Sequence, residues 1–385
     1  MVRLGDLIEQ IRGVSYKPED VYDELNGNSV ALLRANNIKD GQLNFDDVIY
    51  VDKKRVRDNQ LLKAGDILIC TSSGSKELVG KAAYIQEDLL MTFGAFCKVV
   101  RPQKIRSDYL GHFFNSPNYR QKISDASTGA NINNIRNEHI DGLEILLPTV
   151  DRQEYIAVVL NKLSNLISLR KQQLAKLDEL VKVRFVEMFG DLTENPKQWE
   201  KESLGNHVDI LTGFPFDSTG YVSSGIKICG GLIIMPGKIN WEDCKWWPNV
   251  IGYEDYLLAD TDIVMALDRP WISDGFKIAM ISKYDLPCLL IQRTARIRSK
   301  DMNQWFIYYL LKDEAFSTHC NVTGSLVPHI SHKDFKSYPV IVPPVALQDE
   351  FAFFTKKAEG QKLTIQQSLD KLEVLKKSLM QEYFG

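Results

Sequence analysis

Residues 170–190 of this 385-residue chain read RKQQLAKLDELVKVRFVEMFG, and residues 365–385 read IQQSLDKLEVLKKSLMQEYFG. Paired without gaps, the two segments match Gln172 with Gln367, Leu174 with Leu369, Lys176 with Lys371, Leu177 with Leu372, Leu180 with Leu375, Lys182 with Lys377, Glu187 with Glu382 and Phe189-Gly190 with Phe384-Gly385. A repeat of this period describes an architecture before any motif does. The correspondence continues upstream with a drifting offset, as it does for variable loops on one scaffold. Leu4-Gly5 answers Leu204-Gly205, Gly13 answers Gly213, and Leu61-Leu62 with Asp66-Ile67 answers Leu257-Leu258 with Asp262-Ile263. Thr128-Gly129, Pro148 and Gln153 answer Thr323-Gly324, Pro343 and Gln348. The chain is a tandem duplication of a globular domain followed by a long helix.

Each repeat, about 190 residues, is long enough to bury its own core. Hydrophobic residues make up 44% and charged residues 25%, the balance of a folded water-soluble domain rather than a disordered one. No run reaches the roughly 18 uncharged apolar residues of a membrane helix, and MVRLGDLIEQ carries no hydrophobic signal segment, so a cytoplasmic protein away from membranes is expected. The six cysteines are scattered without a CxxC pair, which favours buried free thiols. His329 and His332 form an HxxH pair with no partner pair at zinc-like spacing, so no metal site is expected.

The net charge of −3 hides local concentrations. Residues 98–136 hold seven Lys/Arg against two acids, and residues 269–300 hold seven against two. Two readings fit equally: a phosphate-binding face in each repeat, or a solvated surface balanced elsewhere.

Short β-rich runs (VALLR, DILICT, KAAYI and FCKVVR; IKICG, DIVMAL, KIAMI and TARIRS) alternate with turns and precede helical segments, which predicts α/β (α+β) domains with curled mixed sheets. LEILLP and YPVIVPP close the globular parts, and a helix starts after each. In the first helix Leu160, Leu163, Ile167, Leu174, Leu177, Val181 and Met188 follow a 3–4 spacing, with Arg170 and Arg184 in the skipped positions. Ile365, Leu369, Leu372, Leu379 and Tyr383 do the same in the second, with Lys376 skipped. A seven-residue apolar repeat is a coiled-coil seam, and two similar seams in one chain predict mutual antiparallel pairing under pseudo-twofold symmetry. The first helix, from Asp151 to Phe189, would span roughly 57 Å and act as a ruler between the domains.

Two variable domains separated by repeated helices, together with FVEMFGDLTENPKQWE after the first helix, resemble the specificity subunit of a type I restriction-modification enzyme over the whole chain. That resemblance implies target recognition domains at 1–149 and 191–344, and helices at 150–190 and 345–385. Each domain would read one half of a bipartite, asymmetric double-stranded DNA site, while the helices set the spacing and dock two methyltransferase subunits. Restriction subunits would join in the full complex. Catalysis would then lie in the partners, with S-adenosylmethionine in the methyltransferase and ATP and Mg in the restriction subunit. This chain carries no NPPY/DPPY tetrad, FxGxG loop or GxxxxGK[ST] loop, which agrees with a subunit without cofactor or catalysis of its own. Two alternatives stay open: the specificity subunit of a fused restriction-methylation enzyme, and a coiled-coil scaffold that binds no DNA.

Base readers present polar side chains on loops held by a rigid sheet. In the first domain TSSGSKELVGK supplies Ser72, Ser73, Lys76 and Lys81, and STGANINNIRNEH supplies Asn131, Asn133, Asn134, Arg136 and Asn137. Asn pairs with adenine and Arg with guanine, although Asn-rich turns also cap their own backbone. The second domain offers Arg269, Trp271 and Lys277 in ALDRPWISDGFK, and Ser325, His329 and His332 in NVTGSLVPHISHK. The Asn cluster is lost there, so the two half-sites should differ. Trp241, Trp246 and Trp247 are expected in the core.

Overall fold

The computed structural model describes all residues except 40, 76, 127–132 and 321–328, and the backbone but not the side chain of Asn133. It divides into two compact units, Met1–Gln172 with Gln366–Gly385, and Gln173–Ile365. The division therefore crosses both long helices.

In the first unit a four-stranded antiparallel sheet runs in the order Ile8–Arg12, Cys97–Pro102, Ile67–Cys70, Ala82–Tyr84. A second sheet pairs Met91–Phe93 in parallel with Ser29–Leu33 and continues antiparallel through Ile49–Asp52. The second unit has the same order: Val208–Thr212, Thr294–Ser299, Ile263–Ala266, Ile278–Met280, all antiparallel. There Ile226–Cys229 lies parallel to Cys288–Leu290 and antiparallel to Lys245–Trp247. The central strands Ile67–Cys70 and Ile263–Ala266 are buried throughout, which is why they read as continuous apolar runs. The helices Ser107–Phe113 and Gln304–Lys312 then cover one face of their sheets with buried Tyr109, Leu110 and Phe113, and Phe306, Ile307 and Leu310. Cys70, Cys97, Cys229, Cys288 and Cys320 are buried free thiols. Trp241 and Trp247 pack against core clusters, the Trp241 indole donating to Asp285 at 2.6 Å.

The residues that repeat between the halves are those on which this scaffold depends. Asp66 receives the Arg101 guanidinium in two bonds of 2.8 Å, and Asp262 receives Arg298 at 2.5 and 2.8 Å. Both carboxylates are buried and also accept a backbone N–H, from Lys63 and Ala259, so each clamps an inner strand of its sheet to the turn before the neighbouring strand. At Gly13 and Gly213 a Cβ would collide with the backbone carbonyls of Gly94 and Ile291, so only glycine lets the two strands approach. Gln153 accepts from the Arg106 N–H at 3.0 Å and donates to the Pro148 carbonyl at 2.8 Å; Gln348 does the same with Asn303 and Pro343, at 2.8 Å in both bonds. Each long helix is docked by one glutamine on its own globular part.

The long helices are Val150–Phe189 and Val345–Phe384. The seam residues Leu160, Leu163, Ile167 and Val181 of the first are buried, and Leu174 and Leu177 half-buried. In the second, Leu369 is buried, while Ile365, Leu372 and Leu379 are half-buried. In the first unit Arg152 lies over the Tyr383 ring and Lys171 pairs with Glu373; in the second, Asp178 pairs with Lys362 and Arg184 with Glu350. Partner numbers fall as helix numbers rise, so the paired segments run antiparallel within each unit. The ends of the helices do more than pair. Phe189 meets Phe306 at 4.6 Å in the second unit, and Phe384, its counterpart in the repeat, meets Tyr109 at 5.0 Å in the first. The repeated Phe-Gly ending thus completes the core of a globular part in each unit.

His112 sits where the helix Ser107–Phe113 meets both long helices, bonded to Asn161 at 2.9 Å. Burial pushes its imidazole down to about 4; the Asn161 bond pulls the other way and the Lys376 ammonium adds to the drop. The folded unit holds His112 neutral, whereas an unfolded chain protonates it near the ordinary value of about 6.5. Its contribution is therefore complete above pH 6.5 and is lost as pH falls from 6.5 toward 4. Urea unfolding at pH 7.5 and 5 should show a steeper loss for the wild-type chain than for His112→Gln; equal losses would mean the imidazole is not held neutral.

Candidate nucleic-acid interface

The sheet fixes where each candidate loop emerges. In the first unit the chain leaving Ile67–Cys70 continues as Thr71–Ser73, and Ser72–Ser73 pairs antiparallel with Asn133–Asn134. The two segments singled out in the sequence are thus neighbours, joined further by the Ile135 N–H on the Thr71 carbonyl at 2.8 Å. Asn134 and Arg136 are exposed, with Arg136 at 3.6 Å from Glu138; Ser72 and Ser73 are half-buried. Lys81 is half-buried where the loop turns back. That return is pinned by the Arg120 guanidinium, which donates to the Val79 and Glu77 carbonyls at 2.8 and 2.9 Å. Lys76 and Asn131 lie outside the described residues, as does the Asn133 side chain.

The second unit repeats this construction with other side chains. The Ile330 N–H donates to the Leu267 carbonyl at 2.9 Å, matching Ile135 on Thr71, and Asp268 bridges to His329. Asp268 accepts from His329 Nδ1 at 2.6 Å and faces Arg293 Nε at 3.4 Å. His332 bonds the Thr212 hydroxyl at 2.7 Å through Nε2. Arg269 is exposed with φ +46°, and Arg293 has φ +63°. Left-handed backbone at two non-glycine residues of one cluster costs about 1–3 kcal/mol each and is concentrated at ligand-contacting sites. Ser325 lies outside the described residues.

Other candidates are engaged by the protein's own groups. The Lys277 ammonium is buried on the Gly231 carbonyl, and burial lowers its pKa. Trp271 is half-buried and stacked on Phe276, with centroids 5.0 Å apart and planes at 16°. Asn137 accepts from the buried Lys98 ammonium, which also bonds Gln10 at 2.8 Å. Arg101 and Arg298 clamp buried aspartates, and buried Arg296 bonds Asp209 at 3.1 Å. Part of each basic run is therefore tied up within the protein, and the exposed positive charge is narrower than the count of Lys and Arg suggests. Sequence reasoning missed Asp268, Thr212 and the role of Arg293 in the cluster; the repeat gives no signal for Arg293, whose turn is matched by that of Phe96 only through backbone bonds, Leu267 N–H to the Arg293 carbonyl and Thr71 N–H to the Phe96 carbonyl.

Among the described residues no group of three His, Cys, Asp or Glu is placed to hold a metal, and no helix is long and apolar enough to cross a membrane. The family described as type I restriction modification DNA specificity domain matches residues 1–179. The type I restriction enzyme EcoKI specificity subunit of Escherichia coli (strain K12) is 38% identical over 362 residues, covering 88% of this chain and 77% of that protein. The StySPI specificity subunit of Salmonella potsdam is 39% identical over 257 residues, 65% of this chain and 55% of that protein. The crystal structure of the S subunit of a type I restriction-modification system from M. genitalium superposes with a TM-score of 0.63, covering 100% of this chain and 95% of that one; at 13% identity the likeness is one of fold. Sequence similarity along most of its length places the chain in one family: it belongs to the specificity subunits of type I restriction enzymes.

Proposed function

We propose that this chain reads a bipartite, asymmetric DNA site, one half with each sheet-borne cluster, and that its paired helices set the gap between the halves. One observation carries the proposal most directly. Two sheets of one topology present the same trio of segments, 71–73 with 96 and 134–135 in the first unit and 267–269 with 293 and 329–330 in the second, yet their side chains differ. Duplicated scaffolds with divergent polar tips are what two different half-sites about one helical turn apart require. The first tip offers Ser72, Ser73, Asn134 and Arg136; the second offers Arg269, Arg293, His329 and His332. Lys76, Asn131 and Ser325 belong to the same segments.

The helices also dock two methyltransferase subunits in this proposal. Support comes from their outer faces, where Val158, Leu166, Leu169, Leu180, Val183 and Val374 remain exposed among lysines. The chain itself is non-catalytic and binds no cofactor; S-adenosylmethionine belongs to the methyltransferase, and ATP and Mg to the restriction subunits. The complex works in the cytoplasm.

DNA binding of the complex with its methyltransferase partner should weaken steeply with salt. Arg269→Ala with Arg293→Ala should weaken specific binding about tenfold or more and reduce the salt slope by about one to two. Fluorescence anisotropy on a duplex carrying the site measures both. Salt-insensitive binding that the double substitution leaves unchanged would favour a scaffold that does not contact DNA.

A further inference from the structure

Phe96 is a large aromatic side chain left 70% exposed at the tip of the turn between Met91–Phe93 and Cys97–Pro102. The turn is closed by the Cys97 N–H on the Gly94 carbonyl at 2.8 Å. The Phe96 carbonyl is itself fixed from three sides, accepting from the Thr71 N–H at 2.9 Å, the Thr71 hydroxyl at 3.1 Å and the Ser72 N–H at 3.2 Å. The ring therefore stands on a backbone bonded directly to the Ser72–Ser73 edge, one strand away from Asn133–Asn134. Among the described residues it stays largely uncovered, and exposing a phenyl ring forgoes a burial gain that an interior position would give.

Its counterpart identifies what such a position serves. In the second unit the Leu267 N–H donates to the Arg293 carbonyl at 2.9 Å, as Thr71 does to Phe96, and Arg293 is likewise exposed beside the edge that holds Asp268 and His329. One scaffold position thus carries an apolar ring in one unit and a guanidinium in the other. A position reserved for structure would keep one chemistry; this one varies as the polar tips beside it vary.

We infer that this turn is a third reading segment, and that Phe96 contacts the 5-methyl group of a thymine in the half-site read by the first unit. The inference rests on the DNA-reading proposal above. In the major groove the thymine methyl is the apolar group displayed by the base pairs, and a phenyl ring is among the side chains that recognise it. Neighbouring Asn and Ser side chains supply the polar part of the same readout.

The test uses the full chain with its methyltransferase partner and duplexes carrying the mapped site, with deoxyuridine replacing each half-site thymine in turn. Loss of one methyl should weaken wild-type binding about fourfold to tenfold at a single position of the first half-site. Phe96→Ala should bind the unmodified site about tenfold to a hundredfold more weakly and be indifferent to deoxyuridine at that position. Because Phe96 is exposed, unchanged thermal melting and unchanged response to substitutions in the second half-site serve as controls for folding. Wild-type binding that is specific but insensitive to every deoxyuridine, or equal binding by Phe96→Ala, overturns the inference and leaves the DNA-reading proposal standing. A wild-type complex with no preference for the mapped site overturns both.

Discussion

Asp66→Ala is expected to destabilise the first unit by about 3–5 kcal/mol, because it leaves the Arg101 guanidinium partly buried without its carboxylate. Asp66 is 1% exposed and accepts two guanidinium bonds and the Lys63 N–H, so its loss frees an inner strand and a turn together. Asp262→Ala should do the same in the second unit through Arg298 and Ala259. The double replacement Asp66→Leu with Arg101→Met should recover much of the loss, since an apolar pair of similar volume removes the stranded charge. Urea denaturation of the four chains measures this. Recovery by the double variant separates charge stranding from loss of shape; a cost below about 1 kcal/mol for Asp66→Ala would show that Arg101 finds water or another acceptor.

Phe384→Ala should cost a similar amount, about 3–5 kcal/mol for a truncated core aromatic, although it lies next to the end of the chain. Its ring is 5.0 Å from Tyr109 and 6.1 Å from Phe113, and its carbonyl accepts from the Asn118 amide at 2.5 Å. The loss should fall on the first unit. Hydrogen exchange should accelerate in Ser107–Phe113 and Ile67–Cys70 while Ile263–Ala266 keeps its protection; Phe189→Ala should reverse the pattern through Phe306 and Phe351. Fraying confined to the last helical turn after Phe384→Ala would mean the first unit's core is complete without the second helix.

What the sequence made legible was whatever both copies need. Asp66 and Asp262, Gly13 and Gly213, and Gln153 and Gln348 stood out as pairs because each solves the same local problem twice: a clamp, a close approach, a helix dock. The heptad positions were legible for the same reason, since a seam imposes one spacing along a helix. The basic runs were not. Arg101 and Arg298 count toward local charge, yet a strand places alternate residues on opposite faces, and which face meets a buried aspartate depends on a turn some 35 positions away. Lys98 and Lys277 are hidden likewise, each bonded to groups distant in sequence. Phe189 and Phe384 were read only as marks of repetition, because a helix that changes partners at its end gives no periodic sign of doing so. Phe96 and Arg293 drew no notice as a pair, since neither matches the other in chemistry; only the shared backbone bonds reveal the common position.

The most direct test of a bipartite reader is the methylation pattern it directs. Expressed with the methyltransferase subunit proposed as its partner in a host lacking other adenine methylation, the chain should direct methylation to two short, different sequence blocks separated by a gap of fixed length, as single-molecule sequencing of the genome would record. Substitutions at Arg269 and Arg293 should alter one block and leave the other and the gap unchanged. A single continuous or palindromic motif, or a stable complex that adds no methylation to the genome, would contradict two separate readers on one chain.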